Sequence, residues 1–259
     1  PSDLTCQVTQ CTPVVGARTA RIDLVVPSGV TVQVLNVTVD YFKIELDNRI
    51  ALSGLLEIDR TDPEQSAILD ELSAAGVPGA TTLSAFQFFT NDFDTETQGV
   101  DLVATLPLEQ GAGNSALSLA MNWTDTELKE ITPLATEFRK TQLEEGLPKY
   151  RAILTGTHSM GAWSFLGRAS YFGKFTYAND IGAVPGFDGE YGDVAVVDVE
   201  ASYTFRDAWT LAVGAQDVFD AYPDEHPDPT DWNSGALYPS GSPIGYNGGF
   251  WYLRASAKF

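Results

Sequence analysis

Residues 249–259, GFWYLRASAKF, carry the pattern from which the fold of the whole chain is inferred. Successive side chains of a β-strand point to opposite faces of the sheet, so alternate residues share a face. One face would carry Trp251, Leu253, Ala255, Ala257 and Phe259, and the other Tyr252, Arg254, Ser256 and Lys258. The stretch predicts a strand with one apolar face and one face that is polar and partly basic.

Two kinds of protein use such a strand. In a soluble β-sandwich, the apolar face would lie on a core. The stretch also resembles the last strand of an outer-membrane β-barrel, in which the apolar side chains face lipid and the final residue is aromatic. That resemblance implies that Trp251, Leu253 and Phe259 belong to the barrel-closing strand, which the barrel assembly machinery reads. Taken alone, the stretch fits both kinds.

The composition narrows the class of protein. The 259 residues include 35 acidic and 15 basic side chains, giving a formal net charge of -20, and the mean hydropathy is -0.07. A nucleic-acid partner is disfavoured, because contacts with phosphate need Lys and Arg. No run of about 18 apolar residues occurs, so no helical membrane span is predicted. A barrel stays possible, because its polar bore dilutes its apolar band.

The two cysteines, Cys6 and Cys11, lie close together near the start of the chain. In an oxidising compartment we expect a disulfide between them that closes a short loop. No metal site is predicted, because the two histidines, His158 and His226, lie far away in the sequence. The chain opens at Pro1 without a recognisable signal peptide, so we expect a processed protein or a part of a longer one.

The connections alternate in length along the chain. Short turns are predicted near residues 27–29, 110–114, 159–161 and 206–207. Long loops are predicted near residues 48–95, 125–148, 178–192 and 220–248. Transmembrane barrels alternate in this way, with short periplasmic turns and long extracellular loops, whereas a sandwich has less reason to gather its long loops at one end. Residues 1–14 are interpreted as a further loop.

Between these connections, the alternation predicts eight or nine strands. Within residues 35–47, the apolar side chains move from odd to even positions near Tyr41 and Phe42, which predicts a β-bulge or a change of environment there. Helices are predicted inside two of the long loops, one over residues 62–76 and a shorter one near residues 135–145.

Aromatic side chains are concentrated near the strand ends, as with Trp163 and Tyr177 or Tyr203 and Phe205. Aromatic girdles of this kind mark the two membrane–water interfaces of a barrel. The opposite strand faces carry charged side chains, namely Arg168, Lys174, Asp198 and Glu200. An apolar outer face and a charged inner face are what a barrel wall would need.

Three segments closely resemble the C-terminal part of a TonB-dependent outer-membrane receptor. Residues 35–50, LNVTVDYFKIELDNRI, are similar to a barrel segment of that family, and residues 89–101, FTNDFDTETQGVD, to the beginning of one of its strands. Residues 214–223, GAQDVFDAYP, resemble a motif that precedes the terminal strand, except that Asp217 stands where the family usually has Asn. Their order and spacing give the resemblance its specificity.

The resemblance implies an all-β fold, an antiparallel transmembrane β-barrel of 22 strands with a plug domain inside it. Residues 1–259 would be its C-terminal portion, about the last eight or nine strands, with short helices in the extracellular loops and the plug domain absent from this chain. Unpaired strand edges in lipid leave backbone groups unsatisfied, so this portion would need the remaining strands of the same receptor.

The implied location is the Gram-negative outer membrane. The implied partners are the plug and N-terminal strands of the same receptor, TonB acting through its N-terminal part, outer-membrane lipid, the barrel assembly machinery, and a small-molecule or oligosaccharide ligand.

No constellation of catalytic residues is recognised. A nucleophile elbow, a P-loop and a His-Glu-x-x-His motif are all absent from the sequence, so neither an enzyme nor a cofactor is predicted. The densest ligand-like cluster surrounds His226 and consists of Asp224, Glu225, Asp228 and Asp231. Prolines interrupt this cluster, so we interpret it as a solvated acidic loop rather than a calcium site.

Trp232, Tyr238 and Tyr246 of the last long loop are the candidate ligand-binding residues, because exposed aromatic rings can stack on sugars or flat chelates. The alternative is that they pack the loop against the mouth of the barrel. The expected function is active uptake of a scarce nutrient of the siderophore, cobalamin or glycan class, energised through TonB. The alternatives are a passive pore or adhesin-like barrel, and a secreted all-β binding module.

Overall fold

The computed structural model of the protein describes residues 6–14, 17–26, 33–53, 56–110, 113–131, 137–178, 189–226 and 236–258. The strands are β1 Cys6–Val14, β2 Ala17–Val26, β3 Gln33–Leu52, β4 Leu56–Glu57, β5 Ala85–Phe86, β6 Phe89–Gln110, β7 Gly113–Ile131, β8 Tyr150–Met160, β9 Trp163–Phe172, β10 Phe175–Tyr177, β11 Gly189–Tyr191, β12 Val194–Phe205, β13 Trp209–Gln216 and β14 Phe250–Ala257. The helices are α1 Pro63–Ala74 and α2 Glu137–Glu144, with a 3₁₀ turn at Ala80–Thr82.

Ten of these strands form one antiparallel sheet in the order β1-β2-β3-β6-β7-β8-β9-β12-β13-β14. Each strand pairs with the next one of the series along the chain, as in the wall of an up-and-down barrel. The other strands form two small hairpins, β4 with β5 and β10 with β11, inside long connections. The described sheet is therefore a section of barrel wall.

The long connections all lie at the same end of the strands, as the alternation of lengths predicted. We call residues 53–88, 132–149, 173–193 and 217–249 the outer loops 1, 2, 3 and 4. Short connections join β6 to β7, β8 to β9 and β12 to β13 at the opposite end of the strands. This arrangement places all four outer loops above the same end of the bore.

The interpretation of residues 1–14 as a loop is wrong in part, because Cys6–Val14 forms a tenth strand paired with β2. Its sequence, CQVTQCTPV, mixes Gln and Thr among small apolar residues, which makes the alternation weak. Five residues of extended strand separate Cys6 from Cys11, a span of about 16 Å between their Cα atoms, whereas a disulfide needs less than about 7 Å. An extended β1 does not favour the predicted disulfide, which stays a prediction because the two cysteine side chains lie outside the described residues.

The shift of apolar positions near Tyr41 and Phe42 reflects a change of environment. The register runs without interruption through Tyr41 opposite Val100 and Phe42 opposite Gly99, which excludes a bulge at this point. The irregularities of this strand pair lie farther along, beyond Leu46.

Strands β3, β6 and β7 are much longer than predicted, at 20, 22 and 19 residues. A strand needs only about 9–11 residues to cross a membrane. The additional residues fall in the segments 48–95 and 125–148, which were predicted to be long loops because apolar and polar side chains no longer alternate there. These three strands therefore continue past the bilayer on the side of the outer loops.

Both predicted helices are present. Helix α1 has Asp62 as its N-cap, whose carboxylate accepts a hydrogen bond from the backbone N–H of Glu64. Gly76, just past its C-terminal end, has a φ of 82°, a left-handed conformation that glycine adopts without strain. Helix α2 lies within the range predicted for the second helix. In the described residues, no helix has the length and apolar character to cross a membrane.

The strand predicted over residues 163–177 is shorter than expected. It ends at Phe172, and residues 175–177 form the separate strand β10, which pairs with β11 inside outer loop 3. Tyr177 therefore does not share a girdle with Trp163. The ring of Trp163 instead meets Tyr203 of β12 edge to face, with centroids 4.9 Å apart.

One face of the sheet is apolar and uncovered. The pairing aligns a continuous row across five strands, consisting of Ala104, Leu119, Leu154, Ala169 and Val197. On β14, Trp251 and Leu253 belong to this face and are each 72% exposed. Within the described part of the chain no second large sheet covers these residues, so the sandwich alternative does not describe this fold.

Candidate functional site

The inner face of the sheet carries a charged network on strands β9, β12 and β14. Arg168 on β9 donates two hydrogen bonds to Asp198 Oδ2 on β12, at 2.8 Å from Nε and 2.6 Å from Nη2. The other carboxylate oxygen, Asp198 Oδ1, accepts a hydrogen bond from the backbone N–H of Asp217 at 2.9 Å. The Asp198 carboxylate thus fixes both the arginine and the beginning of outer loop 4.

A second charge pair lies beside the first. Arg254 on β14 donates from Nη2 to both oxygens of Glu200, at 2.7 and 2.9 Å. The hydroxyl of Tyr252 donates to Glu200 Oε2 at 2.7 Å. Glu200 and Arg254 lie on strands separated by β13, so these contacts link the terminal strand to a strand two positions away.

Gly214 on β13 provides the space for these contacts. A Cβ atom at Gly214 would lie 2.5 Å from the ring and hydroxyl of Tyr252. The tyrosine ring therefore lies directly over the backbone of β13, where any other residue would displace it. The contact with Tyr252 thus explains why the first position of the GAQDVFDAYP motif is a glycine in this chain.

The network presents cations to the bore. The side chain of Glu200 is 19% exposed and that of Arg254 is 61% exposed, so the carboxylate lies against the wall and the guanidinium extends from it. In the first pair, likewise, the side chain of Arg168 is more exposed than that of Asp198. The residues line a shallow cavity of about 240 Å³. This part of the wall can offer charge-assisted hydrogen bonds to a group inside the bore.

Outer loops 2, 3 and 4 are joined to one another above this wall. In outer loop 2, the carboxylate of Glu144 accepts a hydrogen bond from the backbone N–H of Leu128 at 3.0 Å, which ties α2 to β7. Glu145 joins loop 2 to loop 3, since its carboxylate accepts a hydrogen bond from the Thr176 hydroxyl and its backbone C=O accepts one from the Thr176 N–H, both at 2.8 Å. In loop 3, Lys174 pairs with Glu190 at 2.8 Å, which raises the pKa of the lysine.

Loops 3 and 4 meet at two buried side chains, Tyr191 and His226, which are 2% and 3% exposed. The Tyr191 hydroxyl and His226 Nδ1 form a hydrogen bond. Burial raises the pKa of Tyr191 to about 12 and lowers the pKa of His226. The interpretation of this acidic cluster as a solvated loop is therefore wrong for His226, whereas Asp224 and Glu225 are exposed as expected. Asp228 and Asp231 lie outside the described residues.

The candidate ligand-binding residues have different surroundings. Tyr238 stacks on Tyr222 with ring centroids 5.7 Å apart, so it packs within loop 4. Tyr246 is 54% exposed and has a free ring surface at the mouth. Trp232 lies outside the described residues. Among these three, Tyr246 is the side chain best placed to meet a ligand.

The terminal strand carries the predicted closing residues. Leu253 lies opposite Val213 and Trp251 opposite Ala215, so both occupy the apolar outer face. Phe259 lies outside the described residues. One edge of β14 pairs with β13, and within the described residues its other edge has no partner strand, so its role in closing the barrel stays a prediction.

The alternation of the strands predicted that Arg168, Asp198 and Glu200 lie on an inner face, but it did not predict their ion pairs. It also left out the roles of Tyr252 and Arg254 in this network. The signal was available only in part, because opposite charges at alternate positions of neighbouring strands indicate cross-strand pairs. The Glu200–Arg254 contact crosses an intervening strand, so strand adjacency alone does not predict it.

Known protein families and solved structures include counterparts of this arrangement of strands. Residues 29–218 match the family model described as "TonB dependent receptor-like, beta-barrel". The fold is similar to that of the FrpB iron transporter from Neisseria meningitidis (F5-1 variant), at 13% identity and a TM-score of 0.53, over 94% of this chain and 31% of that one. No curated protein sequence matches this chain.

Two further solved structures resemble the chain more loosely. The copper transporter OprC matches at 14% identity and a TM-score of 0.48, over 94% of this chain and 31% of that one. FpvA of P. aeruginosa, solved in complex with heterologous pyoverdines, matches at 14% identity and a TM-score of 0.45, over 80% of this chain and 24% of that one. The chain thus spans about a third or less of the length of these receptors.

The apolar outer face, the charged inner face, the outer loops gathered at one end and the match over residues 29–218 have one common explanation. The chain belongs to the TonB-dependent receptor-like β-barrel family of the outer membrane and forms a section of such a barrel.

Proposed function

We propose that this chain is the C-terminal barrel portion of a receptor that takes up a scarce nutrient through the outer membrane with energy supplied by TonB. The observation that carries the proposal is the match to the receptor-barrel family over residues 29–218. The inner-wall network and the connected outer loops support it, because both suit a bore that must hold a ligand and a movable plug. The ligand belongs to the siderophore, cobalamin or glycan class.

The partners follow from the same proposal. Arg168 and Arg254 extend from the wall into the bore, where the plug of the receptor would lie. The remaining strands of the receptor would pair with the two free edges of the described sheet, β1 and β14, because open edges in lipid leave hydrogen-bonding groups unsatisfied. TonB would act on the plug, and the assembly machinery would read the terminal segment, residues 249–259.

Outer loop 4 is the proposed first contact with the ligand. Tyr246 offers an exposed ring, and Tyr222 and Tyr238 stack on each other within the same loop. Aromatic rings bind sugars and flat chelates by stacking, which fits the proposed ligand classes. Trp232 of the same loop is proposed as a further contact.

Uptake assays test the proposal. The complete receptor would be expressed in a Gram-negative host that lacks its own receptors for these ligands, and labelled ferric siderophores, cobalamin and oligosaccharides would be supplied. We expect saturable uptake of one ligand that stops when TonB is deleted or the proton gradient is collapsed. Uptake that persists without TonB would favour the passive-pore alternative. Binding to other cells without uptake would favour an adhesin-like barrel.

A further inference from the structure

Outer loops 3 and 4 are joined by a compact group of side chains centred on His226. The Tyr191 hydroxyl of strand β11 bonds to His226 Nδ1, and the two rings meet edge to face with centroids 5.6 Å apart. The ring of Tyr177 on strand β10 also packs against the imidazole, with centroids 5.7 Å apart. Phe175 stacks on Tyr191 at 5.3 Å. Both strands of the loop 3 hairpin therefore contact one residue of loop 4.

Backbone hydrogen bonds surround this aromatic group. The N–H of His226 donates to the C=O of Leu237 at 2.8 Å, and the backbone of Tyr238 is a hydrogen-bond partner of the imidazole. The N–H of Gly192 in loop 3 donates to the Asp224 carboxylate at 2.8 Å. His226 lies at the centre of these bonds, because it contacts both strands of the hairpin through Tyr177 and Tyr191 and bonds to Leu237 of loop 4. A further bond, from the Ser240 hydroxyl to Tyr177 at 3.3 Å, joins the two loops.

His226 is held in an environment that favours its neutral form. Among the described residues, the titratable groups whose rings contact it are the phenols of Tyr191 and Tyr177. The carboxylates of Asp224 and Glu225 on its own segment are exposed, and that of Asp224 bonds to Gly192. Burial is the largest influence on the imidazole and lowers its pKa.

The direction of the pH effect follows from linkage. A free histidine titrates near pH ~6.5. Because the pKa of His226 is lower in the closed arrangement, an open arrangement takes up a proton first when the pH falls. The closed arrangement is therefore fully stable above about pH 6.5 and loses stability as the pH falls from there toward the lower pKa of the buried imidazole.

We propose that Tyr191 and His226 form a clasp that joins outer loops 3 and 4 at neutral pH and releases them when the medium is acidified. The clasp holds the part of loop 4 that contains the stacked pair Tyr222 and Tyr238. Release would free this part of the mouth without disturbing the sheet, because both clasp residues lie outside the ten-stranded wall. The proposal concerns the loops themselves and holds whichever ligand the barrel accepts.

Hydrogen exchange on the intact protein, in detergent or in nanodiscs, tests the clasp. Peptides that cover residues 189–193 and 221–226 would be followed by mass spectrometry at about pH 7.5 and about pH 5, with correction for the intrinsic effect of pH on exchange. We expect their protection factors to fall at the lower pH, by up to about 30-fold, the limit set by a histidine that is protonated only when the clasp is open. Peptides of β8 and β12 should keep their protection.

Three variants separate the clasp from general acid sensitivity. His226→Gln keeps a hydrogen-bonding side chain that does not titrate, so we expect the pH response of both peptides to disappear. His158→Gln removes the other histidine, which lies on β8 with its Nδ1 bonded to Ser115 at 2.8 Å, and should leave the response unchanged. Tyr191→Phe should lower the protection already at about pH 7.5.

Two results would overturn the proposal. One is equal protection of wild-type residues 189–193 and 221–226 at the two pH values. The other is a pH response that survives in His226→Gln. Should His226→Gln fail to assemble, the wild type and His158→Gln still decide the matter, because the response must be confined to loops 3 and 4 and have its midpoint below about pH 6.5.

Discussion

The hydroxyl of Tyr252 on the terminal strand lies 2.7 Å from Glu200 Oε2 and reaches it across the backbone of an intervening strand. The contact is possible because Gly214 has no side chain beneath the tyrosine ring. Glu200 also binds Arg254, so one carboxylate anchors two neighbouring side chains of β14. The attachment of the last strand therefore involves more than its backbone ladder with β13.

Gly214→Ala is expected to destabilise the barrel by about 1–2 kcal/mol, because the added methyl group displaces Tyr252 and breaks its hydrogen bond to a charged partner. Thermal unfolding of the purified receptor, followed by its mobility on unheated gels, measures the change. Gly167→Ala is the control, since nothing lies within 4 Å of its added Cβ atom. In a Tyr252→Phe background, Gly214→Ala should have a smaller effect, and equal effects in both backgrounds would contradict this explanation.

Leu253→Arg is expected to reduce the stability or assembly of the barrel, because it places a charge on the lipid-facing side. The effect of an arginine on that face is about 2–4 kcal/mol at the centre of the bilayer and smaller near the interfaces. Ser256→Arg, on the bore-facing side of the same strand, serves as the comparison and should be tolerated. Folded yield in the outer membrane is the measurement. Equal yields for the two variants would speak against lipid contact.

Tyr246→Ala is expected to weaken binding of the ligand identified by the uptake assays about tenfold, the loss of one aromatic stacking contact. Titration of the purified receptor with that ligand gives the affinity. Tyr171→Ala removes a tyrosine from the lipid-facing side and should leave the affinity unchanged. An unchanged affinity in Tyr246→Ala would remove this residue from the binding surface.

Asp217→Asn is expected to stabilise the protein by a few tenths to about 1 kcal/mol. The Oδ1 atom of Asp217 is buried without a hydrogen-bond partner, and its own N–H binds the carboxylate of Asp198. A neutral amide removes the repulsion between the two carboxylates and can donate a hydrogen bond. Asp217 also has a φ of 47°, a conformation that asparagine tolerates well. Thermal unfolding beside the exposed control Asp193→Asn checks this; a lower unfolding temperature would refute it.

Asp62→Ala is expected to weaken helix α1 by about 1 kcal/mol, since it removes the N-cap hydrogen bond to Glu64. The effect should be local, because α1 lies in outer loop 1 outside the ten-stranded sheet. Hydrogen exchange in residues 63–74 would rise about fivefold or more. Asp70→Ala on the exposed side of the same helix should change it little, and a matching rise there would show that capping is not the cause.

The lipid-facing pattern was predictable because it follows local rules. Trp251 and Leu253 alternate with Tyr252 and Arg254, and the structure places the two sets on opposite faces. Helix α1 was predictable for the same reason, since Asp62 and Gly76 act within a few residues of the helix ends.

Features that depend on distant residues were not predictable. The continuation of β3 past Asp47 is stabilised by pairing with β6, whose partner residues lie 37 to 44 positions farther along the chain, from Leu52 with Phe89 to Arg49 with Phe93. The burial of His226 depends on a hairpin of another loop, so an acidic, proline-rich sequence suggested solvent instead. The contact of Glu200 with Arg254 crosses a strand that neither residue belongs to.

The extension of β3, β6 and β7 makes the height of the barrel wall unequal around the bore. Strand β3 runs for eleven residues beyond Tyr41, about 35 Å along its path, whereas β9 ends one residue after Tyr171. The wall is therefore taller on the side of β3, β6 and β7 than on the side of β9, and outer loop 1 follows the end of β3 on the taller side. A large protein that approaches the barrel from outside would meet the ends of these three strands before it met the bilayer.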